Sequence, residues 1–346
     1  MLDVDRIIKL KLKYRLERCD VKVNTQIIDI MNNCCKVLNL AFKPNIIFCD
    51  SLVKNFNTFY IRNQPFILVD YSLIECMYIF NAIIISNVKK SDIIKFYNKI
   101  ICEELIYNSS ENIVYFFEEY KKNEFSFSYY MNIYDKQVKN CLFYQIYFLL
   151  VHELSHLAVK QGTRVCSYDD YNNFFFESLK FIVKNSSSKI IKNRKWDKND
   201  NKIHALIEEC YCDYNAFCTL IDANDTDKSN SLEYSYCLLN FLVTYEMVKD
   251  TIEKGLFREF LEQEATDTFF YLHVRLNIFT VTLLLFDDSF GSELRSKCDY
   301  INHVFKEVLG SLRKEGIGGD NILINNFEMN KDIKKQMIQK LRYKIK

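Results

Sequence analysis

Five consecutive residues near the middle of the chain, His152-Glu153-Leu154-Ser155-His156, have the types and spacing of a metal-dependent hydrolytic centre. Side chains four apart on an α-helix lie one above the other on the same face, so His152 and His156 can grip one ion. Glu153, beside the first His, can reach a water at that ion and take its proton as general base. Zinc suits this set because it accepts imidazole and carboxylate ligands and brings the pKa of water towards neutrality. The chain holds only five His, so the pattern seldom arises by accident. Leu149, Leu150, Val151, Leu154, Leu157 and Ala158 surround it with apolar side chains, as a buried active-site helix requires.

Two His and a water leave room for one more ligand. The run ALIEECYCDYNAF at 205–217 offers Glu209 and Asp213, four apart on an apolar helical frame. Glu209 completes a two-His, one-Glu site with an open fourth position. Asp213, one turn on, can accept a hydrogen bond from the outer nitrogen of a ligand His, and His152 is the expected partner. Other ligands stay open: Glu208, Glu177, Asp169, Asp170, and the thiols Cys210 and Cys212. A three-His site of the HExxHxxGxxH type is excluded, since position 159 is Val and position 162 is Gly. His204 and His303 have no partner pattern and read as structural residues.

The elements that position these residues are mostly helical. Residues 1–40 read as an amphipathic helical region. PNIIFCD, NTFYIR and PFILVDY within 44–71 are short β-branched and aromatic runs between polar turns; they predict two or three strands, including a hairpin, then a helix from about Ser72. Helical periodicity returns over 91–121, and a long helix over 135–161 carries the His-Glu-Leu-Ser-His run. Residues 183–202, VKNSSSKIIKNRKWDKNDNK, are polar and weakly periodic; they predict an exposed connection, with a basic substrate-docking loop as the functional alternative. Helices are expected over 203–222, 231–254, 257–285 and 296–314. A glycine loop at 316–319 and a Lys-rich C-terminal helix follow. The spacing divides the chain into an N-terminal helical region (1–43), a catalytic domain (44–290) and a C-terminal helical region (291–346).

Composition agrees with a helical globular protein. Of 346 residues, 49% are hydrophobic and 26% charged, and Gly (7) and Pro (2) are scarce, which favours long helices over many tight turns. A net charge of +1 gives no polyelectrolyte signature, so no nucleic-acid partner is expected. The 13 Cys are odd in number and contain no CxxC pair; with no signal-peptide pattern at the start, they point to a reducing, cytoplasmic setting. The most apolar runs, FNAIII at 80–85 and LFYQIYFLLV at 142–151, are shorter than the roughly 20 residues of a membrane helix, and no membrane partner is expected.

HELSH followed by E-x-x-x-D on a later helix resembles the gluzincin arrangement of zinc metallopeptidases. More narrowly, three blocks in order look like the family of the phage-exclusion protease Lit: HELSHLAVKQ at 152–161, EECYCDYNAF at 208–217 and FFYLHVRLNIF at 269–279. In that family Pro follows the His of the third block; here Val274 follows His273 and Arg275 comes next. The stretch NTFYIRNQPFILVDYSLI at 57–74 is similar to the strand region in which such peptidases pair an edge strand with extended substrate. The resemblance implies an α+β, predominantly helical zincin-like fold. It also implies a zinc endopeptidase acting on a protein substrate, with a translation factor cut in a triggered phage-defence response. His273 is then the expected donor to the developing oxyanion, with Arg275 and Tyr271 behind it. The competing reading is a non-catalytic helical scaffold whose metal site is structural or vestigial. Glu153 discriminates between them, because a purely structural site has no use for a carboxylate beside its first ligand.

Overall fold

Three short strands and nine helices can be traced among the described residues. The computed structural model describes residues 21–50, 54, 56–61, 63–86, 89–107, 127–162, 168–185, 191–192, 194, 196–197, 200–223, 228–253, 267–287 and 292–314. The expectations for residues 1–20, for 108–121, for the first part (257–266) of the helix expected over 257–285, for the glycine loop at 316–319 and for the C-terminal helix lie outside them. The fold is α+β and predominantly helical.

After helix α1 (Val21–Val37) come β1 (Asn45–Cys49), β2 (Phe56–Ile61) and β3 (Gln64–Asp70), the three β-rich runs of the sequence. The hairpin is β2–β3, antiparallel, with Asn63 at φ 65° in its turn. The third strand does not extend the hairpin in chain order: β1 pairs parallel with β3, giving the order β1-β3-β2. This puts β3 in the middle, buried over six of its seven residues, and leaves β2 at an edge.

Helix α2 (Tyr71–Ser86) starts directly after β3 because Asp70 caps it: the Ser72 amide donates to Asp70 Oδ1 at 2.9 Å. All but one of its 16 residues are buried, which is the mark of a helix enclosed by the core. Helix α3 (Lys90–Tyr107) follows, then α4 (Phe127–Gln161), the 35-residue helix that carries the metal motif. Gly162 at φ 73° stops α4 in the left-handed conformation that glycine adopts without steric cost. The part of α4 from Tyr134 to Gln161 is long and apolar enough to cross a membrane, although its consecutive apolar runs are short. Here 72% of its most apolar stretch is buried in the protein, which accounts for the composition as that of a core helix.

Helices α5 (Tyr168–Asn185), α6 (Asn201–Ala223), α7 (Lys228–Glu253), α8 (Asp267–Phe286) and α9 (Ser292–Lys314) complete the chain. Asp200 caps α6 through the Lys202 amide at 2.8 Å. Ile27 and Met31 of α1, Leu150 and Leu154 of α4, and Ile301 and Val304 of α9 share one apolar cluster, so the boundaries expected near 43 and 290 do not divide separate cores. Each large apolar side chain buried there contributes roughly 1.5–3 kcal/mol.

A buried ionic network ties the β1–β2 connection to this core. Lys54 Nζ lies 3.1 Å from Glu103 Oε2 and 3.2 Å from Glu104 Oε1, and Lys99 bridges Glu75 (3.1 Å) and Glu103. Tyr245 of α7 donates to Glu104 at 2.6 Å. Buried charges persist only when paired in this way.

Candidate metal centre

Helix α4 supplies His152, Glu153 and His156, and α6 crosses it to supply Glu208, Glu209 and Asp213. Three donor groups converge. His152 Nε2 and His156 Nε2 are 3.3 Å apart, and each lies 3.3 Å from a carboxylate oxygen of Glu209. Among the described residues this trio is a group that could hold a metal ion.

Each imidazole has its own carboxylate behind it. His152 Nδ1 is 3.0 Å from Asp213 Oδ1, and His156 Nδ1 is 2.9 Å from Glu208 Oε1. The partners run in reverse order along the two helices: the earlier His meets the later acid. With each Nδ1 facing a carboxylate, the Nδ1–H tautomer follows and Nε2 keeps its lone pair. In that neutral tautomer both Nε2 lone pairs and a Glu209 carboxylate point at a common position, an arrangement that calls for positive charge there, from a metal ion or from protons on the imidazoles.

Arg275 of α8 closes the cluster from outside. Its Nε and Nη2 (2.6 Å) both donate to Asp213, and its Nη1 donates to Glu209 at 2.8 Å. This forked contact fixes two carboxylates of α6 with one guanidinium. No family model, curated protein or solved structure matches this chain.

The surroundings displace every titration in the cluster. Burial raises the Asp213 and Glu209 carboxyls, but the Arg275 charge and the His contacts outweigh it and hold both below the ordinary range. Burial and the Arg275 charge push His152 down, while Asp213 and Glu209 push it up further; the net direction is up. His156 is also raised: Cys212, Glu208 and Glu209 outweigh its burial. Glu153 is raised by burial, against the charges of His152 and His156 and a hydrogen bond from Thr58.

That last contact joins the sheet to the motif. The Thr58 amide, on edge strand β2, donates to Glu153 Oε2 at 2.6 Å, and the Thr58 hydroxyl donates to the Glu153 carbonyl oxygen at 3.2 Å. Residue types did not announce it, since a backbone amide carries no sequence signal. Glu208, weighed as a substitute ligand, sits instead against His156 Nδ1; the reversed register of two crossing helices is the signal that would have found it.

The structure corrects the role expected of His273 and places the remaining candidates. His273 is exposed and does not join the cluster. Tyr271, Leu272 and Arg275 share the face of α8 turned towards Glu209, and at about 100° per residue His273 points to the opposite side. Arg275 reaches the site, but its fork is committed to Asp213 and Glu209, so it braces carboxylates rather than waiting for an oxyanion. Glu177 is 71% exposed and pairs with Lys180, away from the His pair. Cys210 and Cys212 are buried beside the cluster as thiols raised by burial, with Cys212 against His156; neither belongs to the converging trio. Asp170, His204 and His303 are exposed on the surface, and the Asp169 side chain lies outside the described residues.

Proposed function

We propose that this chain is a zinc metallopeptidase of the zincin type, with His152, His156 and Glu209 as ligands and Glu153 as general base. The observation that carries the reading is the convergence of His152 Nε2 and His156 Nε2, 3.3 Å apart, on Glu209, whose Oε2 and Oε1 each lie 3.3 Å from one of them, with Glu153 on the same turn of α4. Bonds of about 2.0–2.1 Å at tetrahedral angles separate neighbouring ligand atoms by about 3.3 Å, so the donor set fits zinc in type and in size. Three converging groups among the described residues, rather than four, favour a catalytic site over a structural one that closes every position.

A bound zinc supplies Lewis acidity, polarising a carbonyl and lowering the pKa of water. The rest is the work of the chain. Thr58 holds Glu153 Oε2, which leaves Oε1 for the proton of the attacking water and for its return to the leaving amine. Asp213 and Glu208 hold the imidazoles in the ligating tautomer. Edge strand β2, next to Glu153, offers a place where extended substrate adds as a further strand, recognised through main-chain bonds. The resemblance to the Lit family extends the proposal to a cytoplasmic, triggered phage-defence protease with a translation factor as substrate.

The test compares cells expressing wild type with cells expressing Glu153→Gln, by proteome-wide mapping of new N-termini. New termini that depend on Glu153 and disappear with a zinc chelator support the reading. Identical termini from both, with one zinc per chain in each purified protein, would leave a non-catalytic scaffold as the better account.

A further inference from the structure

Beside Glu209 a half-open cavity of about 420 Å³ lies between α6 and α8. Ala205, Leu206 and Glu209 form one wall, and Tyr271, Leu272 and Arg275 form the other. Its size falls in the range of pockets that bind small groups, and one metal ligand is part of its lining. Whatever enters it sits next to the reacting centre.

The wall on α8 is braced by the only tryptophan-bearing segment of the chain. Ile191 is 3% exposed and anchored in an apolar cluster with Leu206 and Phe270, and Trp196 donates to its carbonyl at 3.2 Å. The Trp196 ring stacks on Phe270 at 6.0 Å. Arg194 lies over both Phe270 (4.5 Å) and Tyr271 (4.8 Å), and its Nη2 donates to the Tyr271 hydroxyl at 2.5 Å. A ring packed on one face and hydrogen-bonded at its tip has lost most of its freedom. The part of 183–202 expected to be a solvated connection is, at these residues, the frame of a cavity wall.

The chemistry of the walls selects the occupant. The Arg275 fork is engaged by Asp213 and Glu209, and the Tyr271 hydroxyl accepts from Arg194. What these residues offer inward is aliphatic and aromatic surface. A carboxylate or ammonium would lose its water there and gain no dedicated partner from them. Lys202 at the lining also disfavours a basic side chain.

We infer that this cavity is a subsite for one large apolar side chain of the substrate, aromatic or branched aliphatic, and that Arg194 is the positioning residue that sets its shape. The inference rests on the metallopeptidase reading, because it treats Glu209 as the boundary between cavity and reacting centre.

The test uses the full zinc-loaded chain and three small probes, the hydroxamates of phenylalanine, leucine and glycine, which share a metal-binding group and differ in side chain. Calorimetry gives the affinities. Trp196, the single Trp, reports occupancy of the cavity by its fluorescence. The phenylalanine and leucine probes should bind roughly ten- to a hundred-fold tighter than the glycine probe, the range expected for burying one large apolar side chain. Ala205→Phe, at an exposed helix position, fills the cavity and should erase that preference while zinc stays at one per chain. Arg194→Ala should cut the preference to a few-fold with the zinc content unchanged. Equal binding of all three probes to wild type, or an undiminished preference in Ala205→Phe, overturns the subsite and leaves the metal centre standing. Full preference in Arg194→Ala removes Arg194 from its role. Failure of every probe to bind the zinc-loaded protein overturns both the subsite and the peptidase reading.

Discussion

Replacing Arg275 by Met tests how the metal centre is held. Arg275 gives three hydrogen bonds to two carboxylates of α6, and Asp213 keeps only 2% of its side-chain surface exposed. Met preserves much of the volume and removes the guanidinium, leaving the Asp213 charge in the interior with His152 as its remaining ionic contact. Breaking a buried pair from one side costs about 3–5 kcal/mol, because the survivor is desolvated without compensation. With a slope of about 3 kcal/mol per molar urea, the midpoint of unfolding should fall by about 1–1.7 M. Adding Asp213→Asn to Arg275→Met removes the stranded charge, so the double variant should be more stable than Arg275→Met alone. Zinc affinity, measured by competition with a chromophoric chelator, should drop about ten- to a hundred-fold in Arg275→Met as Asp213 and His152 lose their alignment. A loss below about 1 kcal/mol, or a double variant less stable than the single one, would refute the clamp.

Replacing His152 and His156 together by Ala should abolish stoichiometric zinc, read by elemental analysis; one zinc per chain in that variant would place the metal elsewhere. Glu153→Gln should keep fold and zinc while lowering hydrolysis about a hundred- to ten-thousand-fold, because an amide of the same shape cannot accept a proton; near-normal turnover would assign the base to another group. Both imidazoles are raised above the ordinary His value in the metal-free protein, so an incoming ion must displace protons. Zinc affinity should therefore tighten as pH rises from about 6 to 8, with proton release seen by calorimetry in buffers of different ionisation enthalpy; affinity independent of both pH and buffer would contradict it.

Much of this centre is legible because helices repeat. His152 with His156, and Glu209 with Asp213, are four residues apart, and that spacing alone puts each pair on one face. What spacing cannot supply is the rotation of one helix against another. α8 is apolar around most of its circumference, so nothing in FFYLHVRLNIF says whether His273 or Arg275 faces Glu209. The two point to nearly opposite sides, about 160° apart, and which side faces the site is set by the docking of the helix rather than by its own sequence. The strands were legible from their β-branched runs, but the parallel pairing of β1 with β3 depends on where the edge falls, which the runs do not encode. Lys54 and Lys99 are fully buried, whereas Lys reads in a sequence as surface. Only their partners Glu75, Glu103 and Glu104, brought together from separate helices, make such burial tolerable.

The clamp has a consequence for when the centre comes into being. Arg275 lies 66 residues beyond the metal-binding Glu209 it holds. A chain made from its N-terminus at about 5–20 residues per second already contains both His and Glu209 roughly 3–13 s before Arg275 is added. During that interval Asp213 has no guanidinium to hold it, and the cavity wall formed by Tyr271 and Leu272 does not yet exist. Assembly is thus gated by translation itself: the nascent chain carries its ligands early but obtains a rigid centre only once α8 has docked.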